Sequence, residues 1–430
     1  MDADRKTAYS TLLDVEIKDA YSNLALNHNI AENRPASPAF VRELVYGVLE
    51  NQRYLDHILG GYMKTPVRKL RAGDRILLRM GLYQLLFMDS VPEYAAVNES
   101  VALARKYCRG RESFINGVLR SFLRDKEAGK PVELPDKEKD PAGYFSTRYS
   151  YEPWIIEMWL EAYEPAFLED LLKASNEAPK LSIRPNLMKI SKADLKAKLE
   201  RKGYVFADGH MASDALLLME GTNLLSEPEY EQGLFAVQDE SSMLAVEKLA
   251  PEPGDFVMDI CAAPGGKSLY MAEKMGNQGT ILSGDIYDKK LEQLRQMARR
   301  SGIDMIKTRT WDGAVTDESL VGKADKLMID VPCSGLGVIR KKPEIKYKKF
   351  TEDMSILPKK QFDILTASSR YLKSGGLMVY STCTIAAREN EQVVRAFLRK
   401  NPDFEEVESI QLLPHIHKTN GFYICKLRRK

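Results

Sequence analysis

From the start of the chain to about position 125, apolar residues recur at spacings of three and four, as in "AFVRELVYGVLENQRYLDHIL" (39–59) and "DRILLRMGLYQLLFM" (74–88). That period gathers apolar side chains on one stripe of a helix. No convincing alternating run competes with it, so the segment is predicted to be an all-α domain. The pattern stops at "DKEAGKPVELPDKEKDP" (125–141), where ten of seventeen residues are charged and three are proline. This stretch is too polar to bury and too proline-broken to be regular, and reads as a linker. Next come a helical "PWIIEMWLEAYEPAFLEDLLKAS" (153–175), a short "LSIRP", a helix across "KADLKAKLERK", and strand-like "GYVFA" and "GLFAVQ". A small α+β unit fits this mixture.

After Ser241 short apolar runs alternate strictly with helical ones. Strands are predicted at "DFVMDI", "GTILSGDI", "IKTRT", "ADKLMID" and "GGLMVYS", and helices include "DKKLEQLRQMARRSG" and "ARENEQVVRAFLRK". Buried strands joined by crossover helices make an α/β, Rossmann-like, doubly wound parallel sheet. Two last strand-like runs, "EEVESI" and "GFYICKL", have no helix between them and suggest an antiparallel edge hairpin. The expected division is an all-α domain over 1–128, a linker over 129–144, a small α+β unit over 145–240 and an α/β domain over 241–430.

At 430 residues the chain can bury cores that need no staple. Its five cysteines are scattered without a C-x-x-C pair, and its five histidines form no ligand cluster, so free thiols and no metal are expected. The opening "MDADRKTAYS" lacks the apolar core of a signal peptide, and no run approaches about eighteen apolar residues. The expectation is a soluble cytoplasmic protein with no membrane partner. With 63 basic against 61 acidic residues, total charge neither implies nor excludes a nucleic-acid partner.

In an open parallel sheet ligands sit beyond the carboxyl ends of the strands, so the loop after each strand is where chemistry is sought. The first such loop, "DICAAPGGK" (259–267), is not a dinucleotide fingerprint, because its glycines are adjacent. A phosphate-binding loop would need glycine six residues before the lysine, where Cys261 stands. The small residues Ala262, Ala263, Gly265 and Gly266 still let backbone N–H groups at a helix start approach a ligand carboxylate. The second strand ends in Asp285, about twenty residues on, where an acidic side chain accepts from ribose hydroxyls. The third is followed by Trp311 and Asp312, placed to receive an adenine amino group. A nucleoside without a pyrophosphate site points to S-adenosylmethionine rather than NAD.

The fourth strand runs into "DVPCSG" and the fifth ends in "YSTCT", so Cys333 and Cys383 should enter one cleft. A methyltransferase needs a thiolate when its acceptor is an unreactive carbon. Cytosine C5 is such a carbon, made nucleophilic when a thiolate adds to C6. On the residues alone, either thiol is a candidate for this role.

"DICAAPGGK", "DVPCSGLGVIRKKPEIK" and "YSTCT" together resemble the RNA cytosine-5 methyltransferases. "RELVYGVLENQRYLDHIL", "DRILLRMGLYQLLF", "YAAVNESVALA" and "FINGVLR" resemble the NusB-like helical domain of their bacterial 16S rRNA branch, the RsmB (Sun/Fmu) family. The resemblance implies Cys383 as nucleophile and Cys333 as the thiol that assists product release. It places S-adenosyl-L-methionine against Cys261, Ala262, Ala263, Pro264, Gly265, Gly266, Lys267, Asp285, Asp312 and Asp330. Asp330 would lie between the cofactor amino group and the target base. The implied substrate is a single-stranded loop of 16S rRNA, helix 31, methylated by a monomer. Departures are Val331 for the common alanine, Ser268 for threonine, and "NGFY" (420–423) for D-G-F-F. Within the class, a tRNA or other RNA target is the rival; outside it, a non-catalytic NusB-like RNA-binding or antitermination factor, against which the intact Cys333, Cys383 and Asp330 argue.

"IRKKPEIKYKKF" (339–350) holds six basic residues against one acid, with two aromatics interleaved. Arg340, Lys341, Lys342, Lys346, Lys348 and Lys349 are therefore candidates for phosphate contact beside the catalytic loop.

Overall fold

The computed structural model describes residues 2–347 and 353–430. It forms two compact units, 2–176 with 339–347, and 177–338 with 353–430.

The first unit is helical, as the three-and-four spacing requires: α1 (Ala3–Lys18), α2 (Ser22–Asn33), α3 (Pro38–Glu50), α4 (Gln52–Gly60), α5 (Ala72–Phe87), α6 (Glu93–Tyr107), α7 (Glu112–Glu127), α8 (Pro141–Arg148), α9 (Pro153–Leu160) and α10 (Pro165–Ser175). Local chemistry sets several starts. Ser37 caps α3 by accepting from the Phe40 N–H, and Pro38 occupies the first turn, where its missing N–H is harmless. Asp140 caps α8 in the same way, again followed by proline. The apolar stripes meet in one core containing Val41, Leu44, Leu77, Leu82, Leu103 and Leu119. Inside the expected linker, the Glu133 carbonyl lies 2.7 Å from His57 Nε2, so the polar stretch runs along the helical unit. Helices α8–α10 also belong to this compact unit, which ends after Asn176.

The second unit begins with an antiparallel sheet of β1 (Leu181–Pro185), β2 (Val205–Asp208), β3 (Leu216–Glu220) and β4 (Phe235–Val237), ordered β2-β3-β1-β4. With α11 (Lys192–Glu200) and α12 (Pro228–Glu231) it makes a ferredoxin-like layout. Strand β3 had no sequence signal that set it apart. Helix α13 (Glu240–Leu249) then leads into β5 (Phe256–Asp259), α14 (Gly266–Lys274), β6 (Thr280–Asp285), α15 (Asp288–Ser301), β7 (Ile306–Thr310) and β8 (Ala324–Asp330). The chain closes with α16 (Asp353–Ser369), β9 (Leu372–Thr382), α17 (Glu391–Lys400), β10 (Phe404–Leu412), α18 (Pro414–His417) and β11 (Phe422–Arg429).

Strands β5–β11 form a sheet ordered β10-β11-β9-β8-β5-β6-β7. The pairs β5·β6, β6·β7, β5·β8 and β8·β9 are parallel. The final strands β10 and β11 pair antiparallel with each other, and β11 with β9, as expected, but the short helix α18, which carries no helical pattern of its own in the sequence, lies between them. Val257, Met258, Leu327, Met328 and Ile329 are fully buried, which explains why these strands read as continuous apolar runs. Each such side chain contributes roughly 1.5–3 kcal/mol. Strand order reverses between β5 and β8, so the crevice at this switch point is where an open α/β sheet receives its ligand.

Candidate active site

The loop after β5 and the end of β8 flank the switch point. Gly265 is the residue before α14, with φ +115°, and a Cβ there would sit 2.2 Å from Leu294 Cδ1. Only glycine satisfies both demands, and the turn it permits opens the helix N-terminus toward a pocket. That pocket is lined by Cys261, Ala262, Ala263, Pro264, Gly266 and Lys267 from the loop, together with Asp330, Asp259, Gln238 and Ser242. Lys267 Nζ donates to Asp330 Oδ2 at 2.7 Å, closing the crevice between the two strands. Burial lowers the Lys267 pKa, but the Asp330 carboxylate outweighs it and holds the ammonium above its ordinary value. The other Asp330 oxygen accepts from Ser381 Oγ at 2.7 Å, tying β8 to β9.

Asp259 is buried at the end of β5. Its Oδ2 accepts from Ser268 Oγ at 2.6 Å, while Oδ1 has no partner among the described residues. Burial raises its pKa to about 7. Serine in place of the frequent threonine at 268 therefore keeps the hydroxyl that this carboxylate uses. Burial also pushes the Cys261 thiol far up, so it stays protonated. Further along the sheet edge, Asp285 Oδ1 accepts from the Tyr287 N–H at 2.9 Å and Asp312 Oδ1 from the Ala314 N–H at 3.0 Å. Asp312 is exposed, whereas Asp285 is nearly buried. Trp311 packs its ring over Gly284, where a Cβ would lie 2.8 Å away.

The two predicted thiols are together, with Cys333 Sγ 3.2 Å from Cys383 Sγ. Hydrogen bonding to Cys383 and burial raise the Cys333 pKa well above its ordinary value. Three sequence-distant groups fix this geometry. Glu389, wholly buried, accepts from Ser334 N–H (2.9 Å), Ser334 Oγ (2.5 Å) and Gln361 Nε2 (2.9 Å). Gln361 also donates to the Pro332 carbonyl at 2.9 Å. Gly337 N–H donates to the Cys383 carbonyl, and a Cβ on Gly337 would lie 1.8 Å from the Gly421 oxygen. The two cysteine loops and the "NGFY" segment thus touch through backbone. Asn420 Nδ2 donates to Asp239 Oδ2 at 2.9 Å, a pairing that an aspartate at 420 would turn into two facing carboxylates.

Sequence reasoning missed Glu389, Gln361 and Gln238. Glu389 sits in "ARENEQ", which reads as the exposed start of a helix. Helix α17 instead starts at Glu391, because Glu389 and Asn390 turn inward: Asn390 bonds Thr382 Oγ1, the Thr384 carbonyl and Gln411.

Of the basic segment, 339–347 belongs to the helical unit. Lys346 is fully buried and donates to the Glu50 carbonyl (3.0 Å), the Tyr149 carbonyl (3.3 Å) and Asn176 Oδ1 (2.7 Å). The expectation that it meets phosphate does not fit this placement, since its donors are occupied and away from solvent. Burial lowers its pKa to about 7, and burial raises that of Glu50 to about 7. Lys342 lies over the Tyr21 ring at 5.0 Å. Arg340 and Lys341 are half-buried in the same segment, and Lys348 and Lys349 lie outside the described residues. Among the described residues no group of three or more His, Cys, Asp or Glu could hold a metal, and no helix is long and apolar enough to cross a membrane.

A family model described as 16S rRNA methyltransferase RsmB/F matches residues 246–428, one for the NusB family matches 2–124, and one for an RsmF/B-like ferredoxin-like domain matches 151–224. The Bacillus subtilis protein named "Probable ribosomal RNA small subunit methyltransferase B" is 36% identical over 99% of this chain and 98% of its own length. The chain belongs to the RsmB family of 16S rRNA methyltransferases. The Vibrio cholerae ribosomal RNA small subunit methyltransferase B is 31% identical over 99% of this chain and 97% of that one. Among solved structures, a methyltransferase homolog protein from Pyrococcus horikoshii is 27% identical, with TM-score 0.59, and covers 66% of this chain and 97% of its own. Membership of the RsmB family makes the α/β unit a methyltransferase domain and the helical front a NusB domain.

Proposed function

We propose that this RNA methyltransferase carries a methyl group from S-adenosylmethionine to C5 of a cytosine in 16S rRNA through a covalent bond between Cys383 and C6. The observation that carries the reading is the pair of free sulfurs 3.2 Å apart at neighbouring strand ends, beside a pocket at the switch point. Amine methylation needs no thiol, whereas an unreactive carbon acceptor needs a nucleophile of this kind.

The pocket fits the cofactor on its own chemistry. Small side chains leave the α14 N-terminus open, and the unpartnered Asp259 Oδ1 and Gln238 Nε2 are buried polar atoms of a kind that native structures rarely leave unpaired. Cys261 to Lys267, Asp285, Asp312 and Asp330 would hold it, and it would supply an electrophilic methyl group on a sulfonium. Cys383 adds to C6, which makes C5 an enamine-like nucleophile. Asp330, held by Lys267 and Ser381, would bond the base and favour that addition. Cys333 keeps its proton while the neighbouring sulfur is free. Once Cys383 is bonded to C6 it carries no charge and shares no proton, so the largest cause of the raised Cys333 pKa disappears. Cys333 can then lose its proton to solvent and, as a thiolate, take the C5 proton; the C5–H electron pair forms the 5,6 double bond as the Cys383–C6 bond breaks and Cys383 leaves as a thiolate.

The target base must leave its stack to reach such a cleft, which suits a single-stranded loop, and helix 31 is the loop we assign. The protein would act on it as a monomer in the reducing cytoplasm. Denaturing electrophoresis of variants with a radiolabelled RNA hairpin tests the chemistry. Cys383→Ala should give neither methylation nor adduct, whereas Cys333→Ala should accumulate a protein–RNA adduct. Normal turnover by Cys333→Ala, or an adduct with Cys383→Ala, would overturn the assignment.

A further inference from the structure

Gln238, between β4 and α13, is buried, and its side chain is fixed at one end only. Its Oε1 accepts from Arg184 Nε at 2.6 Å, and Nε2 has no partner among the described residues. Arg184 comes from β1 of the ferredoxin-like sheet and is itself fully buried. Its Nη1 pairs with Glu273 of α14, and its guanidinium lies 4.7 Å from the Tyr270 ring centroid. Because the arginine can only donate, the amide orientation is settled: oxygen toward Arg184, and N–H groups toward the other side.

That other side is the start of α14. A Cβ built on Gly266 would lie 3.6 Å from Gln238 Cδ and 3.8 Å from Nε2, so the amide rests against the first residue of the helix, and both line the pocket. An unsatisfied donor beside the unsatisfied N–H groups of a helix N-terminus is a place for an anion. Lys267, the nearest cation in the pocket, is engaged by Asp330.

We propose that Gln238 binds the carboxylate at the amino-acid end of the cofactor through Nε2, and that Arg184 and Glu273 are positioning residues that hold the amide in this orientation. The inference rests on the proposed use of S-adenosylmethionine and names a contact within that site. It also gives the ferredoxin-like sheet a part in cofactor binding, since Arg184 lies on β1.

Calorimetry on the full-length protein with two nucleosides separates the possibilities. S-adenosylhomocysteine carries the carboxylate and 5′-methylthioadenosine lacks it. Gln238→Leu should weaken S-adenosylhomocysteine by about 10- to 100-fold, the loss expected for a hydrogen bond to a charged group, and leave 5′-methylthioadenosine within about 2-fold. Gln238→Glu keeps the acceptor for Arg184 while replacing the donor by an oxygen, and should show the same selective loss even if the leucine variant fails to fold. Equal losses for both nucleosides, or no loss with either in a folded variant, would remove Gln238 from the carboxylate. Wild-type protein that bound neither nucleoside would overturn the cofactor reading and this contact with it.

Discussion

Replacing Glu389 by alanine should destabilise the methyltransferase unit by about 3–5 kcal/mol and displace the Cys333 loop. The side chain is wholly buried and takes three donors, the Ser334 N–H, Ser334 Oγ and Gln361 Nε2. A buried donor left unpaired costs about 1–3 kcal/mol, so three would give roughly 3–9. Two of them have a second partner: Ser334 Oγ is 2.8 Å from Thr384 Oγ1, and Gln361 Nε2 still reaches the Pro332 carbonyl. Only the Ser334 N–H is stranded outright, at about 1–3 kcal/mol, and the two other lost hydrogen bonds add about 1 kcal/mol each, which gives the expected 3–5. Glu389→Gln should cost less, about 1–2 kcal/mol. It retains an acceptor for Ser334 and puts an amide N–H₂ where two donors converge. Gln361 can answer by turning its amide, because its Oε1 has no partner among the described residues, at the loss of its bond to Pro332. Urea unfolding followed by circular dichroism measures both costs, and trapping of the RNA adduct reports whether the release role proposed for Cys333 survives. The reasoning fails if the alanine variant loses less than about 1 kcal/mol, or if glutamine costs as much as alanine.

Asp259, raised to about 7 by burial, is protonated in folded and unfolded chains alike below the ordinary carboxyl range near 4. Between about pH 4 and 7 the folded state holds the extra proton, so stability should fall as pH rises through that window and level off above it. The penalty at pH 8 is a few kcal/mol at most, and Asp259→Asn should remove this slope in thermal melts. Lys346→Met should leave the salt dependence of RNA binding parallel to wild type, whereas a lost phosphate contact would flatten log K against log salt by about one unit. Asn420→Asp places a second carboxylate against Asp239 and should lower stability by about 1–2 kcal/mol at pH 8, with recovery near pH 4; equal melting at both pH values would contradict the pairing.

The strand ends proposed to carry chemistry were legible because a parallel sheet buries its strands on both faces and leaves its loops free. An apolar run that stops at Asp259, Asp285 or Asp330 therefore marks both a strand and a candidate site. What sequence could not supply was the identity of distant partners. The stripe on α9 and α10 shows that a face is buried but not against what, and those helices join the helical unit rather than the sheet that follows. Lys346 lies among five other basic residues, and nothing in "IRKKPEIKYKKF" distinguishes the one that turns inward toward Glu50, Tyr149 and Asn176. Glu389 is hidden for the same reason, since its burial depends on donors at 334 and 361.

The strand order gives the proposed residues a sequence in space that differs from their order in the chain. Read along the sheet, Asp312 follows β7, Asp285 ends β6, the glycine loop follows β5, Asp330 ends β8 and Cys383 follows β9. Neighbouring strands are about 4.8 Å apart, so four gaps span roughly 19 Å. In the proposed reading, adenine, ribose, amino-acid end and target base lie along that edge in the order in which they are bonded or react. The reversal between β5 and β8 makes this possible, because the strand that follows β7 in sequence returns to the opposite side of β5. Acids for the nucleoside then stand on one flank of the glycine loop and the thiols on the other. In that reading the methyl group would be delivered where the two flanks meet, at Asp330, the residue that bonds to both Lys267 of the glycine loop and Ser381 of β9.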